Sequence, residues 1–348
     1  MAQPSAKALA SQPPQKRPLW SSALIHAVLG FWSLVCLFPL YWVVVTSLKG
    51  ETDMISGPYY LPYFDFTPKL QAWIAILSYS NDHLLVRFYN STFVAIVSTF
   101  LTVLTGGLAV YGLSRFRYEV RWSRLVLVFL AAAFVGIAPF SSSFWLQLLF
   151  AIIALEFVFL AFQKKQAGPS LENEGIVTAI LATRILPPIV VVLPIYMMAL
   201  YAGLLDSRVT LIVTYTAANL PVAIWLLLPV FGKSTTPQEE AAQLDGASRL
   251  LIFFNIFLPM VAASVAAVGM IVFILCWNEY LFAAYLASDS VSTMPPWVIG
   301  QMSIKEAQVG GDSQEWPQLS AAIIFMVAPV LACTGLAQRY LSQLSRRQ

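Results

Sequence analysis

Charge is what this sequence has least of. Of 348 residues only 11% are Asp, Glu, Lys or Arg, against about 25% in soluble domains. A soluble chain this long and this poor in charge would be apolar over its whole surface, so most of it must face lipid or other membrane helices. Histidine is nearly missing as well. His26 reads as a structural residue near the basic end of an apolar run. His83, in Asn81-Asp82-His83, reads as solvated, with no second His or Cys nearby to complete a metal site. The three cysteines, Cys36, Cys276 and Cys333, lie in apolar runs without metal or disulfide spacing and read as small core residues. The chain carries no Gly-x-x-x-x-Gly-Lys-Ser/Thr loop, so it does not hydrolyse ATP by itself. Scattered acids and two histidines do not form the clustered set that a membrane enzyme needs. A net charge of +3 is too small to suggest nucleic acid. No cofactor and no metal are implied.

What the chain does have is 59% hydrophobic residues, gathered in long runs. After a tail over residues 1–18, rich in Ala, Ser, Gln and Pro, the runs predict spans over Leu19–Leu48, Asn90–Leu113, Leu125–Ser141, Phe144–Phe162, Ile176–Tyr201, Thr210–Phe231, Met260–Ala287 and Ala321–Gln338. The fold class is therefore all-α, a polytopic helix bundle of about eight transmembrane helices occupying residues 19–348. Fourteen of the 20 Lys and Arg fall in segments that this topology puts in the cytoplasm. Only Lys49, Lys69, Arg87, Arg208 and Lys305 fall outside, and Arg184 lies within a span. The positive-inside rule then places both termini in the cytoplasm. Residues 50–88, with Pro58, Pro62 and Pro68 and no lasting helical period, read as an ordered extracytoplasmic loop. Arg184, two turns into its span, reads as snorkelling toward the cytoplasmic interface. Glu156 sits inside an apolar run, where a charge costs about 2.5–3.5 kcal/mol, and reads as a protonated carboxyl bonded to a neighbouring helix or subunit. Together with Glu279 it is the sole attraction of the competing reading, an ion-coupled secondary transporter.

Between two apolar runs stands a polar island, residues 232–258. Thr236 suits an N-cap, Pro237 the first helical position, and Glu239 the third, in capping-box spacing. Gly246 falls where a helix ends in the left-handed conformation. A second helical run, Ala247–Phe257, leads to Pro259. Glu240-Ala241-Ala242, then Asp245-Gly246-Ala247, then Leu258-Pro259, resembles the coupling loop of permease subunits of bacterial ATP-binding-cassette importers. Further matches are Phe38-Pro39-Leu40-Tyr41-Trp42, Ser114-Arg115-Phe116-Arg117, Leu186-Pro187-Pro188, and Cys276-Trp277-Asn278-Glu279-Tyr280. These are similar to the carbohydrate-importer permeases, most of all the smaller subunit of the maltose type.

That resemblance implies the type I importer permease fold, with six shared helices, and an inserted helical hairpin over residues 124–165 that the family lacks. It implies a transport subunit of the bacterial inner membrane rather than an enzyme. The implied partners are a second homologous permease, two cytoplasmic ATPases, an extracytoplasmic solute-binding protein and membrane lipid. The solute would be a sugar or a related compound. Glu239, Glu240, Ala241, Ala242, Asp245, Gly246 and Ala247 would couple to an ATPase, with Glu240 holding the docked helix through a basic partner. Asn219, Trp277, Asn278 and Glu279 would line the pathway or pack on the partner permease, and the sequence does not separate those two roles.

Overall fold

The computed structural model describes residues 19–78, 84–121, 126–127, 130, 144–162, 170–232, 236–288, 290–306 and 315–345. The predicted tail and nearly all of the first arm of the inserted hairpin lie outside these residues, as does His83. The chain divides into two compact units, residues 1–78 with 310–324 and residues 79–309 with 325–348.

The first unit is led by α1, Leu19–Ser47, which is exposed on nearly every face as a lipid-embedded helix should be. Cys36 sits on that exposed surface, so its reading as a core residue is corrected. The segment after it is not a plain loop. It contains α2, Glu51–Ser56, and α3, Gln71–Ser78, two helices too short for a period to show in the sequence.

In the second unit α4 runs from Leu84 to Arg115, beginning six residues before the predicted Asn90. It packs most extensively on α8, Arg208–Gly232. Val94, Ala95, Leu211, Ala223, Ile224 and Leu227 are all buried in this core. Gly106 faces Ala223 where these helices meet, and a Cβ added there would stand 3.4 Å from the Ala223 Cβ, at the edge of ordinary contact.

Between α4 and α8 the helix predicted over Ile176–Tyr201 is broken rather than bent. It forms α6, Asn173–Ala182, a 3-10 turn at Thr183–Ile185, and α7, Pro188–Tyr201, with an angle of 88° at the break. The cause is local. A residue before proline is pushed into extended backbone, and Pro187-Pro188 imposes this twice in succession: Leu186 has ψ 127° and Pro187 ψ 133°.

The helix α5, Phe144–Phe162, is 19 residues and about 28 Å long and covers the stretch expected as the second arm of the inserted hairpin. The chain before and after residues 124–165 is joined by two short antiparallel strands, β1 (Val120–Arg121) and β2 (Ser170–Leu171). Asn173 reinforces this junction: its amide donates to the carbonyls of Leu113 and Phe116, each at 2.6 Å, and its Oδ1 accepts from the Tyr118 N–H at 2.8 Å.

The polar island starts with α9, Thr236–Leu244. The helical run expected to stop before Pro259 instead continues through it: α10 (Arg249–Ile252), a π-turn (Phe253–Phe257) and α11 (Leu258–Trp277) form one rod. Leu258 N–H bonds the Phe253 carbonyl five residues back. The register change of the π-turn lets Pro259, which has no N–H, enter without breaking the helix. The rod ends at Trp277, ten residues before the predicted Ala287, and a separate short helix α12, Leu281–Leu286, follows. The last two helices are α13, Met294–Glu306, and α14, Glu315–Ser345. Among the described residues five helices are long and apolar enough to cross a membrane, or six with α6–α7 taken as one broken span. Of the eight predicted spans, the one over Leu125–Ser141 lies almost wholly outside the described residues, and α5 is a shorter apolar helix beside the six.

The turn between α7 and α8 organises the segment after α12. Asp206, at φ 55°, accepts bonds from the N–H groups of Ser288 (2.8 Å) and Val291 (3.2 Å) and from the Ser290 hydroxyl. Asn90 donates to the carbonyls of Ser290 and Ser292, both at 3.2 Å, and accepts from Arg208 at 3.1 Å. Partial burial alone would raise the Asp206 pKa, but the bonds from Ser290, Ser288 and Val291 outweigh it and hold the carboxyl below its ordinary value. A depressed folded-state pKa contributes stability that is present above the unfolded pKa of about 3.9 and lost as pH falls through the folded value. Asp206→Asn is therefore expected to lower the melting temperature at neutral pH, with the gap to wild type closing below about pH 4. Melting curves taken across that range check it, and a gap independent of pH would contradict it.

Candidate functional site

The polar island is built on one buried acid. Glu239 is the third residue after the start of α9 at Thr236, and its side chain turns inward to only 3% exposure. Its carboxylate meets the last turn of α4. Arg115 Nη2 donates to Oε1 at 2.7 Å, Arg115 Nε to Oε2 at 2.9 Å, and the Tyr111 hydroxyl to Oε2 at 3.2 Å. The fork of the guanidinium matches the two carboxylate oxygens, the geometry in which an ion pair is strongest. The Arg115 guanidinium also lies 5.6 Å from the Tyr111 ring centre and 5.5 Å from that of Phe257. Below it, the rings of Phe231, Phe253 and Phe257 pack on one another and against Tyr111. A charge pair over a dry aromatic floor is shielded from water, so its separation is costly.

The carboxylate with a basic partner inside the chain is thus Glu239, whereas Glu240 is exposed. The capping-box role expected of Glu239 gives way to this bond across the fold. Nothing in the local pattern named Arg115 or Tyr111 as its partners; the Ser-Arg-Phe-Arg exit of α4 read as a family match and as a marker of membrane side.

The far end of α9 follows its local chemistry. Gly246 has φ +83°, the left-handed conformation that glycine adopts without steric cost. The Gly246 N–H bonds the Gln243 carbonyl at 3.0 Å, and the Ala247 N–H bonds the Ala242 carbonyl at 2.9 Å. This crossed pair is the Schellman closure of a helix. Two residues on, Ser248 caps α10 by accepting from the Leu251 N–H at 3.4 Å. Ala242 and Ala247 are half-buried, and Ala241, Asp245 and Gly246 are exposed. At the tip stands Leu244, 90% exposed, an apolar side chain that sequence reasoning passed over because it occupies no motif position. The result is a knuckle closed at Gly246, with Glu239 buried in the bundle and Ala241 and Leu244 facing away.

The second group of candidates lies apart, along α8 and the end of α11. Asn219 is buried: its amide donates to the Tyr215 carbonyl (3.0 Å) and Cys276 Sγ (3.3 Å), and its Oδ1 accepts from Arg184 at 3.1 Å. Arg184 therefore does not simply snorkel. It stands exposed at the α6–α7 break with Asn219 as its anchor. Trp277 is fully buried, its indole N–H donating to the Met326 carbonyl at 2.8 Å and its ring packed on Phe88 and Phe273. Asn278 is exposed and donates to its own helix at Ile274. Glu279, half-buried, accepts from the Phe282 N–H at 3.2 Å and so opens α12.

A bundle of apolar spans, one of them broken, with a polar knuckle between two of them defines a polytopic membrane protein. Residues 121–347 match the family described as the binding-protein-dependent transport system inner membrane component, and the chain belongs to that family. It is a permease subunit of binding-protein-dependent importers, a transport protein and not an enzyme. Similar proteins include the diacetylchitobiose uptake system permease protein of Streptomyces coelicolor, 27% identical over 91% of this chain and 85% of the relative. The trehalose/maltose transport system permease protein of Thermococcus litoralis is 23% identical over 89% of each. Among solved structures, a bacterial transporter for import of the acidic polysaccharide alginate has a chain matching 94% of this one and 99% of its own length, with a TM-score of 0.62 and 18% identity. At that identity the likeness concerns the fold.

Proposed function

We propose that this chain forms half of the translocation pathway of an inner-membrane importer for a sugar or related solute. The relatives' names carry the solute class. A second, homologous permease would complete the pathway, two ATPases would sit on the cytoplasmic face, and a solute-binding protein would deliver from outside. Both termini and the knuckle face the cytoplasm in this reading, which the distribution of Lys and Arg supports. Residues 50–88 then lie outside, and residues 124–165 form the inserted hairpin. Asn278 and Glu279, at the broken end of α11, contact the pathway or the partner permease, while Asn219 and Trp277 hold their helices in place behind them.

The single observation that carries the coupling role is the knuckle itself: closed at its far end by the Gly246 turn, tied to α4 by a buried ion pair, and presenting the exposed Leu244 among polar side chains. A force applied at Leu244 reaches α4 and α11 without being lost in loop motion. ATP would close the two ATPases, draw the paired knuckles together and turn the cavity outward to take up solute. Glu240, Ala241 and Asp245 share the free surface with Leu244, and the small alanines permit close docking.

Leu244→Asp tests this reading. It is expected to weaken ATPase association by at least about tenfold, the size of an interface hot spot. The melting temperature of the permease should stay unchanged, because a side chain 90% exposed supports nothing within its own chain. Co-purification of the ATPase with the variant at wild-type yield would remove the knuckle from the interface.

A further inference from the structure

The segment after α2 has an arrangement that neither the transport cycle nor the coupling knuckle uses. The Tyr41 hydroxyl donates to the Tyr60 carbonyl at 2.7 Å, and the Trp42 and Tyr60 rings lie 5.4 Å apart. Tyr41 is six residues before the end of α1 at Ser47, about 9 Å back along the helix at 1.5 Å per residue. The chain therefore leaves the membrane at Ser47, turns, and comes back down beside its own span. A helix of 29 residues is about 43 Å long, against about 30 Å of hydrocarbon. Tyr41 and Trp42 consequently lie at the boundary between headgroups and acyl chains, and Tyr60 is held level with them.

The returning segment is apolar and rigid. No Asp, Glu, Lys or Arg occurs from Met54 to Phe64. The Asp65 carboxylate accepts from the N–H groups of Tyr60 and Leu61, both at 2.8 Å, and the Tyr63 N–H bonds the Phe66 carbonyl at 2.9 Å. Phe66 is buried, yet Leu61 is 53% exposed, Tyr63 84% and Phe64 89%. Three large side chains are thus fixed outward by a turn that tolerates a left-handed residue, Tyr63 at φ +67°, to present them.

We propose that Tyr60–Phe64 is a membrane-interface anchor, with Leu61, Tyr63 and Phe64 seated in phospholipid at the depth of Tyr41 and Trp42. Amphipathic aromatic rings favour this layer. Depth favours lipid over a docked protein, since Tyr60, where the segment begins, is held level with Tyr41 and Trp42, back from the end of the span. The inference rests only on α1 crossing the membrane and is independent of the coupling role of the knuckle.

The test places the photoreactive analogue benzoylphenylalanine at position 64 of the assembled transporter in its native membrane. Irradiation is expected to add the mass of one phospholipid to this subunit, and the same analogue at exposed Glu240 to add none. Absence of the lipid adduct, or an adduct with the binding protein or the other permease, overturns the proposal. A Tyr63→Ser, Phe64→Ser double variant supplies the second reading. Its affinity for the binding protein should equal that of wild type, and a loss of about tenfold or more, the signature of a protein hot spot, would refute the anchor.

Discussion

Glu239→Ala is expected to abolish solute uptake and to lower stability by about 3–5 kcal/mol, the cost of leaving one partner of a buried ion pair alone. The side chains of Arg115 and Glu239 are 11% and 4% exposed. Removal of the acid takes both carboxylate bonds from the guanidinium that lies over the Tyr111 and Phe257 rings and deprives the Tyr111 hydroxyl of its acceptor. Arg115→Leu alone should do comparable harm from the other side by burying an unpaired carboxylate. The double variant Arg115→Leu, Glu239→Leu removes both charges together, and apolar replacement of a whole buried pair is often neutral. It should melt within about 1 kcal/mol of wild type, so the double-variant cycle yields a coupling of several kcal/mol. Uptake should recover less than stability, because a tether of directed bonds has been replaced by non-directional packing. Melting of the purified complex and uptake in proteoliposomes measure the two. Single variants that lose stability additively would show that the pair does not hold the knuckle.

Gly246→Val should abolish transport while leaving insertion into the membrane intact. No atom lies within 4 Å of a Cβ added there, so the effect is not a clash. It comes from φ +83° alone, which a β-branched residue does not adopt without strain of about 1–2 kcal/mol or more. The chain would relieve that strain by leaving the left-handed conformation, which undoes the bonds from Gly246 and Ala247 and frees the end of α9. Activity should therefore follow backbone preference and not side-chain bulk. Gly246→Asn retains most uptake, Gly246→Ala less, and Gly246→Val essentially none. Wild-type uptake by the valine variant, with the protein correctly inserted, would show that the turn transmits nothing.

These two residues also show how far the sequence could be read. Gly246 was legible because its requirement is local: the Thr-Pro start and the glycine stop of a nine-residue helix are set by neighbours within a turn or two. The role of Glu239 was not. Its spacing from Thr236 suited a capping box, and the choice between that bond and Arg115 depends on a helix that ends 124 residues earlier. Pro187-Pro188 announced a distortion, but a sequence pattern does not tell a kink from an 88° break. Pro259 pointed to a helix end and instead lies inside a continuous rod, since a π-turn absorbed the missing donor. The two-residue strands β1 and β2 left no sign in the sequence, because they are too short to carry a pattern.

By itself the sequence settled the solvent and the class of this protein. Scarce charge and long apolar runs admit only a helical membrane bundle, and the ordered match of the polar island to a coupling loop names the kind of machine. Those properties are sums over many residues or depend on close neighbours, so they survive without coordinates. Only the tertiary structure decided which acid is pinned, what Arg184 and Asn219 do for each other, and that Tyr60 comes back beside Tyr41. Each is a pairing between distant segments, selected by which helices pack side by side, and no short-range preference encodes that choice.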